Sequence, residues 1–251
     1  FLAIVIALVL VFTVFIPLGK YNKAMSYIKN GNYDLAETTL NEISSFSDAK
    51  KQLSVVKAGK AFNQKNYELG IEYIYDVGGT VNVTYDGNGG TPDNKTSIIK
   101  KSKYIGDEAS RDGYDFYGWV LTDYNISSKR GKYSADISLK ASWEIIEYNI
   151  TYDLNGGTQT SKLPTSYTIN ENVKLPTSIV KIGYTFLGWT EISETANPNP
   201  NYVIHAGSMG NKHFTACWEA KEYEVFYDAN GGEISKDSDK FTFDSSYTLE
   251  I

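Results

Sequence analysis

The sequence predicts an α+β protein in three parts: an N-terminal transmembrane helix, a helical hairpin segment, and tandem small β modules. Three observations carry this. Residues 1–19 form an uncharged apolar run. Residues 20–76 repeat at a spacing of 34, which pairs Ala24 with Ala58, Tyr33 with Tyr67 and Leu35 with Leu69. From residue 77 onward, three signatures recur in one order about every 70 residues, the mark of a tandem array.

The apolar run Phe1–Gly19 has length enough to span a bilayer: eighteen helical residues cover about 27 Å. Val14-Phe15-Ile16-Pro17-Leu18 offers no small-x-small cleavage site, which favours an uncleaved anchor over a signal peptide or a buried core helix. Lys20 and Lys23 follow the run, which alone favours a cytoplasmic C-terminal side. Long domains translocate largely regardless of such charges, so orientation rests on the repeats. The chain starts at Phe1 rather than Met and stops at Ile251 inside a third repeat, so it reads as a piece of a longer protein.

In the helical segment (20–76), Ala24, Tyr27 and Ile28 share one helical face, as do Ala36, Leu40 and Ile43. Gly31-Asn32 supplies a turn, and Ser47-Asp48 is placed to N-cap the next helix. The 34-residue period with a small residue in each first helix resembles tetratricopeptide helical hairpins. With fewer than two clear repeats, a spacer is favoured over a peptide-binding groove.

The modules divide as 77–145, 146–220 and a truncated 221–251. Each opens on a period-2 strand: Val81, Val83 and Tyr85 against Asn82, Thr84 and Asp86; Tyr148, Ile150 and Tyr152 against Asn149, Thr151 and Asp153; Tyr223, Val225 and Tyr227 against Glu224, Phe226 and Asp228. Asn88-Gly89-Gly90, Asn155-Gly156-Gly157 and Asn230-Gly231-Gly232 follow, where positive φ predicts a hairpin-type turn. A middle strand is expected at Tyr167–Ile169 and Val173–Leu175, and at Phe241–Phe243 and Tyr247–Leu249. In the first copy its best candidates are Ile98 and Tyr104.

Next come Gly113-Tyr114-Asp115-Phe116-Tyr117-Gly118-Trp119 and Gly183-Tyr184-Thr185-Phe186-Leu187-Gly188-Trp189. Strict alternation would push Trp119 and Trp189 outward, so a bulge is predicted at Gly118 and Gly188 that lets each Trp pack. The last strand faces Leu139, Ala141 and Trp143 inward, and likewise Phe214, Ala216 and Trp218. The four Trp read as core rather than as platforms for sugar rings.

These motifs resemble the Listeria–Bacteroides repeat, the B repeat of internalin B and of many bacterial surface proteins. The resemblance covers about residues 77–251 and departs at Cys217 and in the middle of the first copy. It implies a small β-grasp-like (ubiquitin-like) module strung in tandem outside mostly Gram-positive bacteria, associated with adhesion and surface architecture. It brings no catalytic residues.

The chemistry in the chain is sparse. Net charge −6 and pI near 5.1 give no support for nucleic-acid binding. A single Cys excludes an internal disulfide framework and a cysteine-rich zinc site. The turns carrying Asp86, Asp153 and Asp228 lack the distal Glu of an EF-hand, so calcium is disfavoured. His205 and His213 have no ligand partners at metal spacing, and Cys217, between Ala216 and Trp218, points to the wet face with no base nearby. Leu163-Pro164-Thr165-Ser166 and Leu175-Pro176-Thr177-Ser178 lack the glycine and apolar tail of a sortase signal.

The expectation is a non-catalytic, membrane-anchored cell-surface protein, single-pass through residues 1–19, with no cofactor and no metal. It would act as an extracellular stalk or adhesion module, its partners the membrane and a host or cell-wall ligand. The alternatives are the spacer of a surface enzyme, and an envelope sensor that binds through its helical segment.

Overall fold

A computed structural model describes residues 2–93, 95–99, 109–129, 131–191, 197–246 and 248. It divides into two compact units, Phe1–Glu144 and Ile145–Ile251.

The first unit begins with one continuous helix, Leu2–Lys29. It comprises α1 (Leu2–Leu10), a π-helical turn (Val11–Phe15) and α2 (Ile16–Lys29). The Ile16 N–H donates to the Val11 carbonyl just ahead of Pro17, which has no N–H of its own; the wider turn absorbs that loss. The helix is apolar and long enough to cross a membrane, and its apolar stretch is not buried among the described residues.

The later part of α2 behaves differently: Ala24 and Ile28 are buried. They pack against α3 (Tyr33–Asn41), which is followed by α4 (Ala49–Asn63) and α5 (Tyr67–Asp76). The 34-residue spacing is structural, since Asn32 and Asn66 precede α3 and α5 at the N-cap position. The Asn66 side chain accepts from the Leu69 N–H at 3.1 Å.

Asp48 does occupy the N-cap of α4, but its carboxylate makes no cap hydrogen bond. It accepts instead from the hydroxyls of Tyr21 and Tyr133 and from Gln52 Nε2. Spacing alone identifies the position but not these partners, which come from 27 residues before and 85 after.

Strands β1 (Thr80–Asp86), β2 (Lys95–Ile99), β3 (Tyr114–Lys129) and β4 (Lys132–Ile145) form a four-stranded sheet ordered β2-β1-β4-β3. β1 runs antiparallel to β2 and parallel to β4. Ile98 falls in β2, while Tyr104 lies outside the described residues. The alternation expected of β1 holds, with Val81, Val83 and Tyr85 buried. Their cover is helical: Ala58, Phe62, Ile71 and Ile74 of α4 and α5 join Val83, Trp119, Ile137 and Leu139 in one core. The far part of the β3–β4 arm, with Tyr124, Ile126 and Tyr133, packs on the cluster of α2 and α3. The helical segment is therefore fused to the first sheet, where the sequence suggests a separate spacer.

Asp48 sits at the centre of that junction. Burial alone would raise its carboxyl, but hydrogen bonds from Tyr133, Tyr21 and Gln52 outweigh it and hold the group below the usual carboxylate value. A depressed folded pKa contributes stability that is complete above the unfolded value near pH 3.9 and is lost as pH falls through the folded value. Asp48→Asn should cost about 1–3 kcal/mol at pH 6, and its gap from wild type should narrow below about pH 4. Urea unfolding of the first unit at pH 6 and pH 3 reads this out.

The second unit rebuilds the same sheet from β5 (Glu147–Asp153), β7 (Ser166–Thr168), β10 (Tyr184–Glu191) and β12 (Lys212–Ala220), ordered β7-β5-β12-β10. β5 and β12 are parallel, as β1 and β4 are. Two minor ladders pair β6 (Thr158–Gln159) with β9 (Ile179–Val180), and β8 (Val173–Lys174) with β11 (Val203–Ile204). These connections supply Leu163, Leu175, Ile179 and Ile204 to the core around Trp189 and Phe214. Loops thus cover this sheet where helices cover the first.

A last hairpin, β13 (Glu222–Phe226) with β14 (Ser238–Thr242), brackets the third Tyr-Asp-x-Asn-Gly-Gly signature at residues 227–232. It docks on the start of β10: Lys221 N donates to the Gly183 carbonyl at 2.9 Å, and the Tyr184 and Phe243 rings meet at 5.5 Å. Of the middle strand expected further on, Tyr247 and Leu249 lie outside the described residues.

The predicted bulge is present at Gly188. Phe186 pairs with Trp218 but Gly188 pairs with Cys217, leaving Leu187 as the extra residue. Gly188 and Gly118 both have φ of 135°. The shift returns Trp189 to the interior at 0% exposure, and Trp119 is buried too. A Cβ at Gly118 would meet nothing, so Gly118→Ala should cost only the strained φ, about 1 kcal/mol. A Cβ at Gly188 would lie 2.3 Å from the Asn199 backbone. Gly188→Ala should therefore cost about 2–3 kcal/mol, and local hydrogen exchange around the two glycines would rank the pair.

Candidate functional site

The signature residues converge at one end of each sheet, around the Asp-x-Asn-Gly-Gly turn. Asp86, Asp153 and Asp228 each accept from the N–H two residues on, at 2.8, 2.8 and 2.9 Å. Asn88, Asn155 and Asn230 then take positive φ, followed by Gly89, Gly156 and Gly231. Two consecutive positive φ values, with Gly90 N donating to Gly87 O at 2.9 Å, make a type I′ turn. It opens a longer hairpin connection rather than closing a two-residue hairpin, since Tyr85 pairs with Lys95.

The turn is the seat of the second Trp. Trp143 Nε1 donates to the Gly87 carbonyl at 3.0 Å, and Trp218 Nε1 to that of Leu154 at 3.0 Å. A Cβ on Gly90 or Gly157 would stand 2.5 Å from the Trp143 or Trp218 ring. That close approach accounts for the last glycine of the motif. The Asn side chains reach the fourth strand: Asn88 Nδ2 donates to Ala141 O at 3.1 Å and Asn155 Nδ2 to Ala216 O at 3.4 Å.

Tyr85 and Phe116 contact Trp119 at 4.9 and 5.3 Å between ring centres. Tyr152 and Phe186 contact Trp189 at 5.2 and 5.5 Å. Burial pushes the Tyr152 hydroxyl up to about 12, and that oxygen has no hydrogen-bond partner among the described residues. Gly113 and Gly183 turn the chain into Tyr114 and Tyr184 with φ of 75° and 79°. Tyr227, Asp228 and Gly232 repeat the opening of the motif in the third copy, with Tyr227 donating to Asp239 at 2.7 Å.

One pair of signature residues is absent from the sequence reading. Arg111 and Lys181 each stand three positions before the repeat tyrosine. Arg111 Nη1 donates to Asn88 O at 3.1 Å and its guanidinium stacks 3.9 Å from the Tyr114 ring. Lys181 Nζ donates to Asn155 O at 3.1 Å and lies 4.1 Å from the Tyr184 ring. Superposing the two copies shows a basic residue at the same spacing, which was the available signal.

The assembly therefore spends its polar groups on itself. The turn carboxylates and the amides of Asn88 and Asn155 are engaged, and no group of three or more His, Cys, Asp or Glu able to hold a metal occurs among the described residues. His213 Nδ1 lies 2.8 Å from Thr151 Oγ1 on the outer face. Cys217, half-buried on that face, has Thr190 Oγ1 at 3.5 Å. Leu163 and Leu175 of the Leu-Pro-Thr-Ser pair are buried core residues, and Pro176 O accepts from Trp189 Nε1 at 2.8 Å. The first repeat carries an open depression of about 390 Å³ beside Asn88, Arg111, Tyr114, Lys140 and Trp143. A second, of about 360 Å³, lies on the helices at Tyr33, Asp34, Lys60 and Asn63.

The Listeria-Bacteroides repeat domain matches the chain twice, at residues 82–142 and 148–208. A relative from Evansella cellulosilytica named "Putative membrane protein" is 32% identical over 151 residues, covering 55% of this chain and 21% of the relative. A second from the same organism, "Putative Gly-rich membrane protein", is 30% identical over 128 residues, covering 49% of this chain and 14% of the relative. The chain thus spans about a fifth or less of the curated relatives it matches. No solved structure matches it.

Proposed function

The chain carries two Listeria–Bacteroides repeat domains, and from that premise we propose that it is a single-pass, non-catalytic surface protein whose repeats stand outside the cell as a stalk or adhesion module. The observation that carries this reading is the continuous helix Leu2–Lys29, apolar at its start and packed into the first repeat unit at its end through Ala24 and Ile28. Such a mount fixes the first repeat to the anchor without a linker. The self-contained hydrogen bonding of the repeat signature suits an architectural module better than a catalytic one. A β-grasp relationship is supported by the sheet order β2-β1-β4-β3 with a parallel central pair, and a tetratricopeptide relationship by the two helical hairpins at a 34-residue spacing. A wall polymer or a host surface molecule is the ligand class this reading assigns to the repeats, in a Gram-positive envelope.

The test is topology. Cys217→Ser combined with Ser161→Cys places one thiol in an exposed loop of the second repeat. Labelling of intact Gram-positive cells by a membrane-impermeant maleimide is expected. Labelling only after lysis would put the repeats in the cytoplasm and overturn the surface assignment.

A further inference from the structure

We propose that the membrane-proximal end of the first unit is a basic collar that binds the anionic headgroups of the bilayer holding the apolar helix. This rests on the anchor reading above. Tyr21 follows Leu18 by less than one helical turn, and its hydroxyl donates to Asp48. Tyr133 donates to the same carboxylate at 2.6 Å. Lys20 pairs with Glu42 at 2.6 Å, and the Tyr21 ring meets Phe46 at 6.1 Å. Three segments therefore meet where the apolar stretch ends: the start of α2, the α3–α4 connection, and the tip of the β3–β4 hairpin.

Those segments are basic. Lys20 and Lys23 come from α2, Lys50 and Lys51 from the first turn of α4, and Lys132 from the first position of β4. Lys23, Lys50, Lys51 and Lys132 are exposed. Neither α2 nor α4 contains an Asp or Glu. The acidic residues of the α3–α4 connection are Glu42 and Asp48; the first is paired with Lys20 and the second accepts three hydrogen bonds. A cationic rim on a chain of net charge −6 runs against the composition. Its place beside an apolar helix selects the partner: a negatively charged lipid surface attracts lysines within about a Debye length. Tyr21 and Phe46 at the same level give the rim aromatic side chains suited to the interface.

The experiment uses the full chain in nanodiscs, either pure phosphatidylcholine or the same lipid with phosphatidylglycerol. Lysine acetylation is followed by mass spectrometry. Lys50, Lys51 and Lys132 should react about threefold or more slowly in the anionic discs, and high salt should abolish the difference. Lys65, at the other end of α4, is the internal control and should react equally in both. Equal reactivity of the collar lysines in the two lipids, in discs that contain the chain, would overturn the proposal alone. Failure of the chain to co-elute with discs of either lipid would overturn the anchor reading and the collar together.

Discussion

Phe62→Ala is expected to loosen the helices and the first repeat together while leaving the second unit unchanged. Phe62 is fully buried in a core that mixes α4 and α5 with three strands of one sheet: Val83 of β1, Trp119 of β3 and Ile137 of β4, with the neighbouring Ala109. Its ring lies 5.1 Å from Tyr124, and a Cβ on Gly70 would sit 2.3 Å from it, so α5 approaches over a glycine. Truncation of a buried Phe removes about 3–5 kcal/mol, a large part of the 5–15 kcal/mol that stabilises an ordinary domain. Peptide-resolved hydrogen exchange is the measurement. Loss of protection in α4, α5, β1 and β4 at once is the expected pattern, with β5 and β12 unaffected. Loss confined to the helices would mean that the helical segment folds as an independent spacer and that its contact with the sheet contributes little.

That fusion marks the boundary of what the sequence discloses. The period-2 strands, the positive-φ turns and the bulge at Gly188 are local consequences of residue type, and each lies where spacing places it. The apolar faces of Ala24 and Ile28, and of Ala36 and Leu40, are equally local. What covers those faces is a long-range matter. Val83 and Ile150 occupy the same position in two copies of one motif, yet the first faces helices and the second faces the connections carrying Leu163 and Ile204. Alternation says only that a face is buried. Asp48 gives the same lesson for polar groups: an N-cap position is readable from its neighbours, whereas the competing donors Tyr21, Gln52 and Tyr133 become visible only once the chain is folded. The family resemblance identifies the array, and the pairing of Arg111 and Lys181 with their turns waited on geometry.

The two repeats should also differ in their dependence on the same motif residue. Trp189→Ala removes a ring at 0% exposure that packs on Tyr152 and Phe186, and it leaves the Pro176 carbonyl without its indole donor. The packing loss alone is about 3–5 kcal/mol, and the lost hydrogen bond to the part-buried acceptor adds about 1 kcal/mol. Among the described residues the second repeat has no helix to close the resulting gap, so it is expected to unfold at 37 °C. Cys217 reports this directly, because it sits opposite Gly188 on the neighbouring strand. Its alkylation in the variant should proceed at the rate of the denatured chain without urea, while wild type reaches that rate only across its unfolding transition. Trp189→Phe should recover most of the packing but not the hydrogen bond, and fall between. Trp119→Ala forms the contrast. The Trp119 Nε1 has no partner among the described residues, and the surrounding core is extended by Phe62, Ile71 and Ile74 from the helices. Its loss should be smaller than that of Trp189, and equal losses in the two repeats would mean that the helical cover does not reinforce the first one.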